Sequence, residues 1–501
     1  YIINLLGANM ERKFNDQEQS RRSKLQKLID MGKNPYAIEK FERTHTCASF
    51  IKAYDKFSHE ELQSNSDEIK VAGRVMAIRQ TFGVISDFSG ELQFYINKKT
   101  FDPDKFQMFK QILDLGDIIG ITGTPMKTMT GQVTIKVNDF VILAKSLIPL
   151  PEKFHGLADE EIRARKRYLD LMTNRESLNT FVQRTKILQY IREYMSSQDF
   201  LEVETPILSP KLGGAAARPF TTHHNTLDRN YYLRIATELP LKKLIVGGFE
   251  KVYEMGPIFR NEGMDPMHNP EFTSIEAYQA YANLEDMMDL TENIIRYVAK
   301  KINKTKITYK GVEIDFSKPF KRISMIDMIK EVAKIDFNKI KTDKEAVELA
   351  KKDGIELLPH QLTRGHVISM FFEKYCEEKC SQPVFITEHP IEISPLAKKD
   401  PKDPRMVRRF ELFICQKEYA NAFSELNDPI DQLERFEAQL KEREMGNSEA
   451  NEVDMEYIDA LEYGLAPTGG VGIGVDRLVM LLTGKESIRD VLLFPHMKDT
   501  K

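Results

Sequence analysis

The sequence predicts an α+β chain in two parts, a small β-barrel followed by a much larger domain of helices and strands. Residues 69–143 present strand-like runs in the order strand, strand, strand, helix, strand, strand. Leu147–Pro151 then reads as a proline-marked linker. Beyond it, a long apolar-faced helix opens a domain that carries further strand-like segments.

Each barrel element has its own signal. Ile69–Arg79, Thr81–Phe88 and Glu91–Asn97 read as strands, Lys105–Leu115 as a helix, and Asp117–Thr124 and Gln132–Leu143 as two more strands. This is the order of an OB-fold, a five-stranded barrel that often binds single-stranded nucleic acid. The barrel domain is expected over residues 51–146, with a linker over 147–165. On its surface Arg79, Phe82 and Gln93 offer a cation, a ring and an amide to unstacked bases. The alternative is that Phe82 is core and Arg79 a solvated edge residue. Residues 1–50 read as a helical, basic extension. Within it Met10–Lys33 carries seven Lys/Arg against four Asp/Glu, with Leu25 and Leu28 as its apolar positions, and ends near Gly32 and Pro35. A solvated arm and an RNA-holding arm both fit that pattern.

Composition bounds the partners. The chain has 501 residues, 41% of them apolar, enough for large cores and, by length, for about three folding units. No apolar run reaches the roughly 18–20 residues of a membrane span. Tyr1–Met10 is apolar but short and has no basic stretch before it, unlike a secretory signal. Four cysteines are too few for a disulfide framework in a chain of this size, and Cys376 and Cys380, four apart, lack a second ligand pair. A reducing cytoplasm is expected. The net charge of −4 divides unevenly: residues 1–150 carry 21 Lys/Arg and 18 Asp/Glu, the remainder 51 and 58. A local RNA footprint is compatible with that balance.

In the larger domain, residues 166–501, Leu178–Gln198 spaces Phe181, Ile187, Leu188, Ile191 and Met195 for one buried helix face. Phe200–Leu208 is strand-like but interrupted by Pro206, which suits an edge or an irregularity. Residues of about 320–380 read as a charged helical insertion. Three constellations carry chemistry. Val252–Glu262 and Phe272–Tyr278 read as two strands, which puts Arg260 and Glu262 on one face and Phe272, Glu276 and Tyr278 on another, with His268 in the loop between. A ligand cleft and a solvated ion-pair ladder both fit this hairpin. In Phe410–Glu425, Asn421, Phe423 and Glu425 share a strand face, and Glu411 and Glu418 lie just before. Carboxylates among Phe413, Ile414 and Phe423 call for a cation: a divalent metal, an ammonium, or Arg408 or Arg409 of the chain itself. In Gly469–Leu482, Gly470, Gly472 and Gly474 strip one strand face of side chains before Arg477, either for a flat ligand or for tight packing. A dinucleotide fingerprint does not fit that spacing.

Together these segments resemble the three motifs of the class II aminoacyl-tRNA synthetases. Phe200–Leu208 with Pro206 looks like motif 1, Phe259-Arg260-Asn261-Glu262 like motif 2, and Gly472–Arg477 like motif 3. The preceding OB-fold marks the subgroup for lysine, aspartate and asparagine. Arg218–Asn225, Tyr232–Glu238 and Asn421–Asn427 are similar to its lysine-specific members.

The resemblance implies a mixed, mainly antiparallel sheet flanked by helices, and a homodimer built partly on motif 1. Its implied partners are L-lysine, ATP, magnesium and tRNA(Lys), with neither DNA nor membrane. Its implied catalytic residues are Arg260, on the ATP α-phosphate and the lysine carboxylate, and Arg477, which with His268 holds the outer phosphates. Glu262 would hold the adenine amino group and Phe272 would stack on the ring, with Asn261, Asn269, Tyr419 and Gly474 completing the nucleotide site. Glu411 and Glu418 would bind magnesium. Glu276 would take the lysine α-amino group, Glu238, Glu425 and Tyr278 would meet the ε-ammonium, and Gly214, Asn421 and Phe423 would line the same pocket. Arg79, Phe82 and Gln93 would read the anticodon. The implied reaction needs no nucleophilic side chain, because the amino acid's own carboxylate attacks the α-phosphorus. Specificity would follow from buried carboxylates that a neutral or acidic side chain leaves unpaired. An aspartyl or asparaginyl enzyme, or an RNA-binding relative without charging activity, are the rival readings.

Overall fold

The computed structural model describes residues 12–151, 159–447 and 453–499. The Tyr1–Met10 stretch and part of the expected linker lie outside them. The chain divides into two compact units at residues 156/157.

In the first unit, five strands close a barrel: Ile69–Arg79, Phe82–Ser86, Glu91–Tyr95, Val133–Ala144 and Ile118–Lys127, in that order around the ring. Neighbours pair antiparallel except Glu91–Tyr95 with Val133–Ala144, where the chain passes through the Pro103–Gln111 helix and returns parallel. Alternating burial along Phe82–Ser86 and Glu91–Tyr95 sends Ile85, Leu92 and Phe94 inward and leaves Phe82, Gln93 and Tyr95 on the outer face. The basic helix runs from Asp16 to Asp30, started by a capping box between Asn15 and Glu18. At the mouth of the barrel, the buried Lys145 ammonium donates to Ile112 O (2.7 Å) and to Asp114 Oδ2 (2.8 Å), and pairs with the equally buried Asp117 at 2.5 Å.

The second unit is built on an eight-stranded sheet. Its order is Lys321–Ser324, Val384–Pro390, Met406–Ile414, Lys417–Ser424, Thr468–Gly474, Glu271–Ala280, Lys251–Phe259 and Leu201–Glu202. Only the two outermost pairs are parallel; the interior pairs are antiparallel. The sheet is therefore mixed and mainly antiparallel.

Its two faces differ because side chains alternate. Ile275, Ala277, Val471, Ile473, Phe410 and Leu412 point to one side, into a core that takes Ile187, Ile191 and Met195 from the Arg175–Ser197 helix and Ile294, Ile295 and Val298 from the Leu284–Lys301 helix. The other face holds the polar side chains described below.

Three elements depart from the sequence reading. Phe200–Leu208 is not one strand. Leu201–Glu202 pairs at the sheet edge and Leu208–Ser209 joins a separate three-stranded sheet. Between them Thr205 is held through its N–H and hydroxyl by Glu254, itself paired with the buried Arg234. The 320–380 segment is not wholly helical, since Lys321–Ser324 forms a strand of the main sheet before the Met325–Ala333, Asp343–Lys352 and Arg364–Tyr375 helices. The Phe410–Glu425 stretch is a hairpin that turns at Cys415 and Gln416, both with positive φ (46° and 66°). All four cysteines are free and buried, and Cys380 Sγ donates to Cys376 O; among the described residues no group of three His, Cys, Asp or Glu is placed to hold a metal.

Lys145→Met should destabilise the barrel by about 3–5 kcal/mol, because it strands Asp117 without its partner in a dry site. Denaturant unfolding followed by a probe in residues 1–150 checks this; a loss under about 1 kcal/mol contradicts it.

Candidate active site

The face of the sheet opposite the helix-packed core carries a cavity of about 610 Å³. Its floor comes from three adjacent strands, Glu271–Ala280, Thr468–Gly474 and Lys417–Ser424, each of which contributes every second residue: Phe272, Glu276 and Tyr278; Gly470, Gly472 and Gly474; Asn421 and Phe423. The register explains the convergence. Glu276 lies opposite Gly472 and Gly472 opposite Asn421, while Tyr278 lies opposite Gly470 and Gly470 opposite Phe423. The missing side chains of the central strand thus leave room between two polar rows.

At Gly470 the room is already used. A Cβ there would collide with Glu425 Oε1 and the Tyr278 ring, whereas at Gly472 and Gly474 the nearest neighbours would be 3.6 and 3.8 Å away. Gly214, at φ +87°, brings its backbone alongside the Cβ atoms of Ala236 and Glu238.

At one end of the cavity lie the carboxylates. Glu238 begins the Glu238–Val246 helix, and Glu425 follows the Lys417–Ser424 strand; both are buried. Glu276 Oε1 accepts from the Thr237 N–H (3.0 Å), and the Tyr278 hydroxyl donates to Glu276 Oε2 (3.3 Å). Burial pushes the Glu276 carboxyl up to about 7 against the Thr237 amide, and Glu238 adds to the rise. Burial likewise pushes Glu425 up to about 8, although Lys242 opposes it. Glu425 Oε1 is buried without a hydrogen-bond partner.

Lys242 was missed by the sequence reading. Its ammonium donates to Glu238 Oε1 (2.6 Å) and lies 2.5 Å from Glu425 Oε2. A cation of the same chain thus already sits between the two carboxylates. The signal was present as an i,i+4 Glu–Lys pair on a helix, a spacing that is more often a surface ornament.

Toward the other end lie the remaining charges. The Arg260 guanidinium stands 5.4 Å over the Phe272 ring with its buried Nε unpartnered. The Lys251–Phe259 strand ends just before it, so Arg260 and Glu262 sit in the loop and not on a strand face, and the ladder persists only through Arg260 N–H to Pro270 O (2.8 Å). Both still line the cavity. His268 Nδ1 is 2.8 Å from Asp265 Oδ2 and its Nε2 is 3.1 Å from Arg477 Nη2. Arg477 also donates to Glu418 O at 2.7 Å.

Asn269 lines the cavity, but its amide is engaged by the chain itself, donating to Glu271 O (2.6 Å) and accepting from His496 N–H (3.2 Å). Asn261 is exposed and is not among the residues that line the cavity. The chain turns away after Arg260, and the Asn261 N–H donates to Arg218 O. Tyr419 is buried on the cavity wall.

Glu411 and Glu418 face the cavity from neighbouring strands, offset by a bulge at Leu412/Phe413. Crowded surroundings, then Glu411, raise the Glu418 carboxyl, whose side chain is still 42% exposed. Glu411 is paired with Arg409 at 2.6 Å. Arg409 also donates to Asn421 Oδ1, Ile393 O and Ser394 Oγ, and lies over the Phe423 ring. It thus organises five cavity residues, a role the sequence reading gave only as neutralisation. On the barrel, Phe82 packs against Tyr95 with centroids 4.7 Å apart and the rings tilted by 34°, Gln93 accepts from Thr134 Oγ1, and Arg79, opposite Phe82, is exposed. Tyr95 is a second ring on this face that the sequence reading did not single out.

The family description "tRNA synthetases class II (D, K and N)" matches residues 159–498, which hold the whole cavity. The chain belongs to this family. A second description, "OB-fold nucleic acid binding domain", matches residues 69–143, the span of the barrel. Among curated relatives, the lysine–tRNA ligase of Malacoplasma penetrans is 58% identical over 98% of this chain and 100% of its own length. That of Ureaplasma urealyticum is 57% identical over 98% and 99%, and that of Staphylococcus epidermidis 53% identical over 98% and 100%. As a class II synthetase, the chain needs its amino-acid pocket intact. Gly470→Ala should therefore displace Glu425 or Tyr278 at a cost of about 1–3 kcal/mol, or about 5- to 150-fold in amino-acid affinity. Equilibrium binding of the amino acid checks it, and unchanged affinity would show that the space over Gly470 is not occupied as described.

Proposed function

We propose that the chain is a lysine–tRNA ligase, which activates L-lysine with ATP and transfers it to the 3′-terminal adenosine of tRNA(Lys) during translation. One observation carries the lysine assignment. Glu238, Glu276 and Glu425 converge on the pocket end, and Lys242 supplies one positive charge among them. Two negative charges are left, and lysine brings two ammonium groups. An aspartyl or asparaginyl enzyme would need cations at this position. The relatives named above, at more than half identity over nearly the whole chain, support the same reading.

In the proposed division of labour, Glu276 takes the α-ammonium, and Glu238, Glu425 and the Tyr278 hydroxyl take the ε-ammonium. Gly214, Asn421 and Phe423 shape the space between. Arg260 holds the lysine carboxylate against the ATP α-phosphate. Phe272 stacks on adenine, Glu262 accepts from its amino group, and His268 and Arg477 hold the outer phosphates. Tyr419 and Gly474 complete the wall. The lysine carboxylate attacks the α-phosphorus as pyrophosphate leaves. A ribose hydroxyl of the tRNA terminus then attacks the adenylate carbonyl, releasing AMP. The protein's part is alignment and charge neutralisation.

Glu411 and Glu418 suit magnesium: two like carboxylates face one polar cavity, and magnesium needs only one or two from the protein when phosphate oxygens and water complete its shell. When bound, the ion neutralises phosphate charge. On the barrel, Phe82 with Tyr95 forms a stacking platform, with Arg79 and Gln93 beside it for the anticodon. Leu201 (56% exposed) and Leu208 (44%) flank Pro206 as outward apolar side chains, which supports a homodimer built on this segment. No described helix is long and apolar enough to cross a membrane; the proposed setting is cytoplasmic.

Pyrophosphate exchange into ATP should depend on lysine and not on aspartate or asparagine; the opposite preference would overturn the pocket assignment. Glu238→Gln should raise the lysine KM by about 10²-fold, whereas Phe82→Ala should leave exchange intact and impair tRNA charging. Equal losses in both assays for both variants would contradict this division. The lysine KM should also fall as pH rises through about 7 to 8, because ammonium binding requires Glu276 and Glu425 to release protons that the empty pocket retains below those values. A KM flat from pH 6 to 8.5 would contradict it.

A further inference from the structure

Resting on the lysine reading above, we infer that Lys242 is a built-in counter-cation that sets the amino-acid specificity of the pocket, by locking Glu238 and Glu425 in the orientation and charge state that receive an ε-ammonium. It acts through those two side chains and is a positioning residue. Lys242 is wholly buried and is not among the residues that line the cavity. It approaches the carboxylates from behind, one turn along the helix that Glu238 begins, while their other side lines the cavity.

Each neighbour of this ammonium has a defined charge. Glu238, on its own helix, accepts its hydrogen bond at 2.6 Å, and Glu425, from the segment after the Lys417–Ser424 strand, lies 2.5 Å away. Tyr457, from the Met455–Glu462 helix, offers its ring face 5.8 Å from Nζ, and its buried hydroxyl has no hydrogen-bond partner. Tyr278 and Glu276, on the Glu271–Ala280 strand, complete the charged surroundings of Glu425 and Glu238 on the cavity side. Burial pulls the Lys242 pKa down, but Glu238 and Glu425 outweigh it and hold the group protonated well above neutrality.

The arrangement answers a physical problem. Three carboxylates in one dry pocket cannot all ionise without a cation, and one of them would hold a proton instead. A protonated Glu425 would present a hydroxyl donor where the substrate's ammonium needs an acceptor. With Lys242 in place the pocket offers two negative charges once Glu276 and Glu425 have released their protons to an incoming diamino acid, equal to its two ammonium groups. A monoamino acid leaves one uncompensated. With Oε2 paired to Lys242, the unpartnered Oε1 of the fully buried Glu425 is the acceptor left open for that second ammonium.

Lys242→Met, close in length and apolar, tests this in the full-length enzyme by lysine-dependent pyrophosphate exchange between pH 6.5 and 9.5. The lysine KM should rise at least about tenfold near pH 7 while the ATP KM stays within about twofold, and the alkaline fall of the lysine KM should move up by at least about one pH unit. In K242M/E238Q, where one charge of each sign is gone, that fall should return toward its wild-type position. Should K242M alone not fold, the paired variant should, since its net buried charge returns to that of the wild type.

A lysine KM and pH profile unaffected by K242M would overturn the inference. So would lysine and ATP KM values that rise together, which is the mark of a merely structural helix contact, or a paired variant as impaired in folding as K242M. A wild-type chain without lysine-dependent exchange would instead sink the functional reading on which this one stands.

Discussion

Like charges buried together are the constraint around which the catalytic unit is arranged. Glu238, Glu276 and Glu425 come from a helix N-terminus, a central strand and the loop after another strand, and no two are close in sequence. Left alone in a dry pocket they would repel and take up protons. The fold meets this with one internal ammonium, one backbone amide and one phenol: Lys242, the Thr237 N–H and the Tyr278 hydroxyl. What those three leave unbalanced is the binding specificity. The protein stores an electrostatic deficit that its substrate is shaped to fill.

A second constraint is the two-faced sheet. Period-two alternation assigns Ile275, Ala277, Val471 and Ile473 to the helix-packed core, and Glu276, Tyr278, Gly470 and Gly472 to the cavity, within the same strands. Glu276, Tyr278, Gly470 and Gly472 are therefore each flanked along the strand by an apolar residue packed on the opposite side. This gives the rigidity that alignment catalysis requires. Asp476 extends the brace: its buried carboxylate accepts from the Thr273 N–H and from Arg184 of the long helix, tying the strand that carries Phe272 and Glu276 to the helix that carries Arg477. Arg409 does the same on the far side, joining Glu411, Asn421 and the 393–394 loop.

Local pattern made much of this legible. The Ile69–Arg79 strand has the bounds that β-branched residues and alternation indicate, and the order of the barrel elements follows from their turns. Phe272, Glu276 and Tyr278 share a face because period two is a property of the backbone, and the Gly470–Gly474 row reads the same way. Less of the loops was legible. Arg260 and Glu262 have no strand parity, since the strand stops at Phe259, and the Phe410–Glu425 run hides a turn at Cys415-Gln416 that contains no glycine or proline to announce it.

Sequence alone determined the types and spacing of the reactive groups, the barrel, the helix faces, and, through motif resemblance, the kind of chemistry. These depend on contacts between residues near one another in the chain, or on patterns that repeat along it. Tertiary structure alone decided which charges meet. That Lys242 lies between Glu238 and Glu425, that Arg409 sits on Glu411, that Asn269 is taken up by the chain's own backbone, and that Gly470 yields its space to Glu425 and Tyr278 all depend on strand register across distant segments. An ion pair depends on distance in space, and a one-dimensional pattern does not encode the distance between residues 242 and 425.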